Sequence, residues 1–408
     1  MKRQTGTYFW PTTFPDAPSY PSLETNLSCD VLIIGAGSSG AQCAHYLSGH
    51  DLDVVVIEKS TVASGSTVTN TAILQYSGEK MFTSLVNTFE EDYIARHLGL
   101  LKEAIDEIEA ASKNSSIDCE FTRRDTLYSA SCPEDVDQLK KECEYLKQHD
   151  CEVDFLKRDE IEAKYPFSRE AAIYSYNDGE INPFRYTHAL FEEAVAQGVR
   201  VYEGTEMNGQ HFDRARRTTI VTTKNGYAIE ARHVIFATGY EGMDIKKEKK
   251  ASFASTFTVT TNPVEDLSAW YNRTILWETA RPYLYVRTTK DNRVIIGGLD
   301  ENTDEERDRN SKLTHKKFQL IEEFNQLFPT IKVEPAFFLA SSYGGIVDGV
   351  PVVGKYEEFP GCYYVFAFGD NGMVYGQALA KLVAEEIVNG ISADLAMYLQ
   401  ERPLLKKV

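Results

Sequence analysis

The segment Gly35-Ala36-Gly37-Ser38-Ser39-Gly40 has the residue types and spacing to hold a pyrophosphate. In such a loop one glycine permits a tight turn, another lets backbone approach the phosphates, and a third lets helix and strand pack closely. Peptide N–H groups at the N-terminus of the following helix then face the phosphate charge. Glu58, at the end of the next apolar run and followed by Lys59, offers a carboxylate to ribose 2′- and 3′-hydroxyls. The same carboxylate would repel a 2′-phosphate, which argues against NADP. Between NAD and FAD this unit alone does not choose. A second constellation is Arg281-Pro282-Tyr283-Leu284-Tyr285-Val286-Arg287, in which Tyr283, Tyr285 and Arg287 alternate and would share one face of a strand. Two phenols and a guanidinium suit a polar or anionic ligand, although a solvent face with an ion-paired arginine has the same pattern. Trp277 and Glu278 stand one strand earlier, where Glu278 could pair with a cationic amine or simply face solvent. No Gly-x-Ser-x-Gly elbow occurs. The seven cysteines are scattered with no C-x-x-C pair, so reduced thiols and no metal site are expected.

The elements that must carry these residues follow from hydrophobic period. Asp30 to Ile34 is a short apolar run ending in glycine, as a buried parallel strand should be, and Asp53 to Glu58 is another. Between them Ser38 to Ser48 reads as a helix, which completes a βαβ unit. Amphipathic helices are predicted near 91–112, 134–148, 186–197, 315–327 and 376–388. An Asn225-Gly226 turn predicts a hairpin between Thr218–Thr223 and Tyr227–Ala231. A buried strand, His233 to Gly239, and a short one, Tyr363 to Phe366, follow the same apolar logic. From about 252 to 298 the pattern changes to long alternating strands, the mark of an antiparallel sheet. The aromatic and proline-rich stretch from Tyr8 to Pro21 reads as an extended arm. The fold class is thus α/β (α+β overall), a Rossmann-type part with an interleaved antiparallel sheet.

Composition narrows the partners. At 408 residues, 42% hydrophobic and 25% charged, the chain can bury more than one core. Its net charge of -18 repels polyanions and anionic lipid surfaces, so neither nucleic acid nor membrane is an expected partner. The N-terminal segment shows no apolar signal region, and a cytoplasmic protein is expected. A homo-oligomer is compatible with everything above.

Five further stretches carry a family resemblance: Ser64 to Ala72, Ala237-Thr238-Gly239, Arg281 to Arg287, Asp348 to Gly354, and Phe368-Gly369-Asp370-Asn371-Gly372-Met373. Together with the glycine loop they resemble the D-amino-acid oxidase and glycine oxidase superfamily of FAD enzymes, nearest its γ-glutamylputrescine oxidase-like branch. The resemblance implies non-covalent FAD and oxidation of a C–N bond in a small amine or amino-acid derivative. Hydride would pass from the substrate carbon to flavin N5, and electrons then to oxygen or another acceptor. It implies that Ser66 and Thr67 contact the pyrophosphate and ribityl chain, and that Asn70, Thr71 and Ala72 run along the flavin edge. Met207 would meet the adenine, Thr238 and Gly239 form a second turn against the cofactor, and Gly369 to Val374 direct amides at the flavin. Asp370 departs from the family pattern and reads as a solvent-side turn residue. The arginine that clamps substrate carboxylate in the D-amino-acid and glycine oxidases is also missing, because the chain reads Ser341-Ser342-Tyr343-Gly344-Gly345 there. Tyr343, Tyr285 and Arg287 are therefore the candidate substrate residues. Dehydrogenation of an alcohol or hydroxy acid, and a non-catalytic flavin-binding or redox-sensing role, are the alternatives. The expected division is an arm at 1–26, a discontinuous FAD-binding domain (27–88, 150–250, 336–408) and a substrate domain (89–149, 251–335).

Overall fold

The computed structural model describes residues 3–78, 80–402 and 404. One sheet is built around Leu27–Ile34, which pairs in parallel with Val54–Ile57 on one side and with Ala228–Phe236 on the other. Its strand order is Val352–Gly354, Cys362–Phe366, Ala228–Phe236, Leu27–Ile34, Val54–Ile57, Arg200–Tyr202. Val31, Leu32 and Ile33 are fully buried, so the run is continuously apolar rather than alternating. The order reverses beside Leu27–Ile34, and a doubly wound sheet opens a ligand crevice at such a point. Helices Ser38–Leu47, Glu91–Asn114, Pro183–Ala196 and Gly372–Asn389 pack on one another beside it. The expected hairpin arm at 227–231 and the buried strand at 233–239 are a single strand. Its first half pairs antiparallel with Thr218–Thr223, while most of its length pairs parallel with Leu27–Ile34.

The second sheet has ten strands among the described residues. Its order is Gln4–Gly6, Pro335–Ile346, Ala251–Thr261, Val294–Glu301, Leu284–Thr288, Ile275–Glu278, Thr122–Ser129, Ala171–Glu180, Ile73–Leu74, with Val153–Lys157 also on Ala171–Glu180. Helix Glu306–Leu327 covers one face and buries Leu320 and Phe324; Trp270 packs against Phe324 and Phe328. The helix begins nine residues before the expected 315. Glu306 and Asp308 in its first turn suit the positive end of the helix dipole.

The sheets divide the chain differently from the expected segments. Val153–Lys157 and Ala171–Glu180, expected with the FAD-binding segments, belong to the second sheet because both pair into it. Helix Glu91–Asn114, expected with the substrate segments, packs on Gly372–Asn389 instead. Pro335–Ile346 is one long strand, although Ser341 to Gly345 carried loop residues. The arm contributes an edge strand, Gln4–Gly6, and a 3₁₀ turn, Trp10–Thr13. Among the described residues no helix is long and apolar enough to cross a membrane.

Candidate active site

A groove of about 940 Å³ opens at the end of Leu27–Ile34. Gly35 sits at φ +106°, and any Cβ there would strike the Ala237 carbonyl, so the turn needs glycine. A Cβ on Gly40 would overlap the Gly35 carbonyl, which explains the third glycine as a helix–strand contact. The helix Ser38–Leu47 therefore starts directly under the groove, with Gly37, Ser38 and Ser39 on its wall. Thr67 Oγ1 accepts the Ser38 N–H at 3.0 Å and ties the loop after the second strand to that helix. Glu58 lines the groove and accepts the Ala36 N–H at 2.9 Å on one oxygen and the Ser60 N–H at 2.8 Å on the other. Burial pushes its carboxyl up, while those two N–H groups pull it down. Each oxygen keeps a further acceptor position for a ribose hydroxyl. Lys59, ion-paired with Glu241, Ser66, Met207, Thr238 and Gly239 complete the wall.

A smaller cavity of about 110 Å³ adjoins the groove, and Ser66, Asn70, Tyr240 and Gly372 face both. Its other walls include Thr71, Gln75, Trp277, Tyr283, Tyr285, Tyr343 and the loop Gly369, Asp370, Asn371. The loop is anchored: the Gly369 N–H donates to the Gly344 carbonyl at 2.9 Å, and Asn371 Nδ2 donates to the Ser77 carbonyl at 2.7 Å. Asp370 points into the cavity rather than to solvent. Its Oδ1 accepts the Tyr283 hydroxyl at 3.1 Å and the Tyr343 hydroxyl as well. Burial pushes the Tyr285 phenol up to about 12. Tyr343 reaches the cavity from the strand Pro335–Ile346, where it sits opposite Ala254.

Arg287 does not reach that cavity, contrary to the expectation that it meets a ligand. It is 2% exposed and its Nη1 donates to the carbonyls of Ala72 at 2.7 Å and Ile181 at 3.1 Å. Burial lowers its pKa, with Glu180 opposing. Its guanidinium lies 5.3 Å from the ring centre of Trp10, and Trp10 Nε1 donates to the Asn70 carbonyl at 2.7 Å. The arm and Arg287 thus grip the segment Asn70 to Ala72 from behind. Ala72, Met373 and Val374 have buried side chains outside both cavities. Met373 and Val374 begin the helix Gly372–Asn389 and can address the site only through main-chain groups. The sequence reading missed Gln75 and Tyr240, as well as Arg3, Gln4 and Tyr8 of the arm, which line the groove. Only Tyr240 had a signal, its place directly after Gly239.

The groove fits an extended dinucleotide: a helix N-terminus for phosphates, a carboxylate for ribose, and a separate cavity where its far end is bounded. Comparisons with known proteins agree. YhfW of Bacillus subtilis, named as a Rieske 2Fe-2S iron–sulfur protein, is 28% identical over 56% of this chain and 43% of its own length. Gamma-glutamylputrescine oxidoreductase of Escherichia coli is 25% identical over 94% of this chain and 89% of its own. The crystal structure of glycine oxidase from Geobacillus kaustophilus superimposes with a TM-score of 0.75 at 20% identity, covering 89% of this chain and 95% of that one. Residues 30–386 match the family model described as FAD dependent oxidoreductase, and the chain is accordingly an FAD-dependent member of the D-amino-acid oxidase (DAO) family.

Proposed function

We propose that this enzyme oxidises a C–N bond in a small amine or amino-acid derivative. The observation that carries the reading is the wall shared by the dinucleotide groove and the aromatic cavity, formed by Ser66, Asn70, Tyr240 and Gly372. A substrate in the smaller cavity lies against whatever end of the cofactor that wall exposes. FAD, when bound, supplies the hydride acceptor at its N5.

The chain's own residues position and enclose. Gly35, Gly37, Ser38 and Ser39 hold phosphate, Glu58 holds ribose, and Ser66, Thr67, Thr238 and Gly239 fix the middle of the cofactor. Asn70 and Thr71 on one side, and Gly369 to Gly372 on the other, bracket the junction between groove and cavity. Trp277, Tyr283, Tyr285 and Tyr343 keep water from the reacting carbon, which favours a hydride transfer that needs no dedicated acid–base pair. The sheet around Leu27–Ile34 carries the cofactor residues and the ten-stranded sheet most of the substrate wall. Oxygen or another acceptor then takes the electrons.

The test is anaerobic bleaching of the FAD absorbance against primary and secondary amines, amino acids, alcohols and hydroxy acids. Bleaching by amines supports the reading. Bleaching by hydroxy acids alone, or by none of the panel, refutes it.

A further inference from the structure

We infer that Asp178 positions Trp277, through one bound water, from a small second cavity that shares this indole with the aromatic one. The inference concerns the wall of the aromatic cavity, whatever that cavity takes, and does not depend on the amine reading. Trp277 lines both cavities. The second measures about 10 Å³, which is room for one water. Its other walls include Ser77, Thr126, Tyr128, Glu142, Ser175 and Asp178.

A bulge brings Asp178 to this place. On the strand Ala171–Glu180, Ile173 and Ser175 alternate onto the cavity's face, and strict alternation would send Asp178 to the other face. The ladder slips instead. Arg124 pairs with Asp178 and Thr126 with Ser175, so Tyr176 and Asn177 together stand against Asp125 alone. Asn177 takes up the extra residue at φ +65°, and a bulge re-aims the side chain beside it. On the next strand Thr126 and Tyr128 share one face. Trp277 sits opposite Tyr128 and stacks on its ring at 3.8 Å.

Three buried polar atoms of the residues around this cavity have no hydrogen-bond partner among the described residues: Asp178 Oδ1, Thr126 Oγ1 and Trp277 Nε1. Glu142, by contrast, is matched. One of its oxygens accepts the Phe82 N–H at 2.8 Å, and the other accepts the Thr83 N–H at 2.9 Å and hydroxyl at 2.7 Å. Burying an N–H and a carboxylate oxygen unmatched is costly. One water removes both costs, accepting from the indole and donating to the carboxylate. Burial lifts the Asp178 carboxyl to about 7; the nearby Thr126 hydroxyl and Tyr76 N–H pull it down, while Asp125 and Arg123 oppose each other. Burial also raises the Glu142 carboxyl, the Tyr76 phenol and the Cys151 thiol, the other titratable groups that face this side chain. When Asp178 ionises it holds the water more strongly, and the water oxygen draws harder on the indole N–H. Asp178 thus acts on the aromatic cavity only through Trp277.

The experiment labels the FAD-loaded protein with 15N-tryptophan and follows the three indole N–H resonances from about pH 5 to about pH 9. Trp10→Phe and Trp270→Phe assign the Trp277 peak by elimination. The expected result is a downfield shift of the Trp277 indole proton as pH rises, with one midpoint within about a unit of 7. Asp178→Asn should abolish the shift and Glu142→Gln keep it, both with wild-type FAD content. A crystal structure of the FAD-loaded protein at pH 8 should show one water within hydrogen-bond reach of Trp277 Nε1 and Asp178. A wild-type Trp277 peak that stays put or moves upfield overturns the inference, whether or not the variants fold. So does a shift that survives Asp178→Asn, or one that Glu142→Gln removes. An indole N–H bonded directly to a protein group in the crystal overturns the water link. Bleaching of FAD by amines is a separate readout, and neither result decides the other.

Discussion

Replacing Trp10 by alanine should loosen FAD although Trp10 does not itself line the cofactor groove. Trp10 is 4% exposed, donates Nε1 to the Asn70 carbonyl, and offers its ring to the buried Arg287, which itself holds the Ala72 carbonyl. Truncating a buried aromatic to alanine costs about 3–5 kcal/mol of folding stability. The part that reaches the cofactor is separate. Once the tryptophan is gone, residues 70–72 lose a restraint, and FAD must order them on binding. Fixing backbone costs about 1–2 kcal/mol per residue, so three residues amount to about 3 kcal/mol at the low end. That is about a hundredfold in Kd. Trp10→Phe keeps a smaller aromatic ring and loses the N–H; the hydrogen bond alone is about 1 kcal/mol, so its Kd should rise at least about fivefold. The assay is quenching of FAD fluorescence on titration into deflavinated protein, with circular dichroism to confirm the fold. A folded Trp10→Ala protein that binds FAD within twofold of wild type would refute the argument that the arm braces this segment.

The remaining predictions test other links. Gly40→Val should abolish FAD binding, since the new side chain would collide with the Gly35 carbonyl; yellow Gly40→Val protein would show that the loop can shift. Glu58→Arg should weaken FAD by removing both ribose acceptors, and unchanged affinity would deny Glu58 that role. Burial lifts the Asp178 carboxyl to about 7. Its folded pKa thus lies above its unfolded one, and stability falls as pH rises from about 4 to about 7. Asp178→Asn should therefore stabilise the protein at pH 8, by up to about 4 kcal/mol, and not at pH 4, as read by urea unfolding at both values. Glycine and D-alanine should turn over far more slowly than amines without a carboxylate, because no arginine among the described residues lines the cavity; efficient D-alanine oxidation would contradict that.

What the sequence revealed and what it hid follows from how far apart the partners lie. The glycine loop, the helix Ser38–Leu47 and Glu58 were legible because strand, turn, helix and acid are neighbours in the chain and each has one physical use. The strand Ala171–Glu180 was not, because its Asn177-Asp178-Gly179 looks like a turn and only pairing with Thr122–Ser129 and Val153–Lys157 makes it a strand. Pro335–Ile346 hid for the same reason, with serines and glycines where Ala251–Ser255 supplies the ladder. Alternation correctly grouped Tyr285 and Arg287. It could not show that the arm covers Arg287, since Trp10 comes from the opposite end of the chain. Asp370 was legible as part of the last loop, but Tyr283 reaches it from just before the strand Leu284–Thr288 and Tyr343 from Pro335–Ile346.

The arm's attachment also sets an order of events. Thr7 and Phe338 exchange hydrogen bonds across 331 positions, and Gln4–Gly6 pairs with Leu339 to Ser341. The strand Gln4–Gly6 must wait for this partner, made far later in the chain, while the βαβ unit around Gly35 can form early. Closing so long a loop is slow, and the arm is a three-residue edge strand that can lift without breaking either sheet. A lifted arm would take Arg3, Gln4 and Tyr8 away from the groove wall they form.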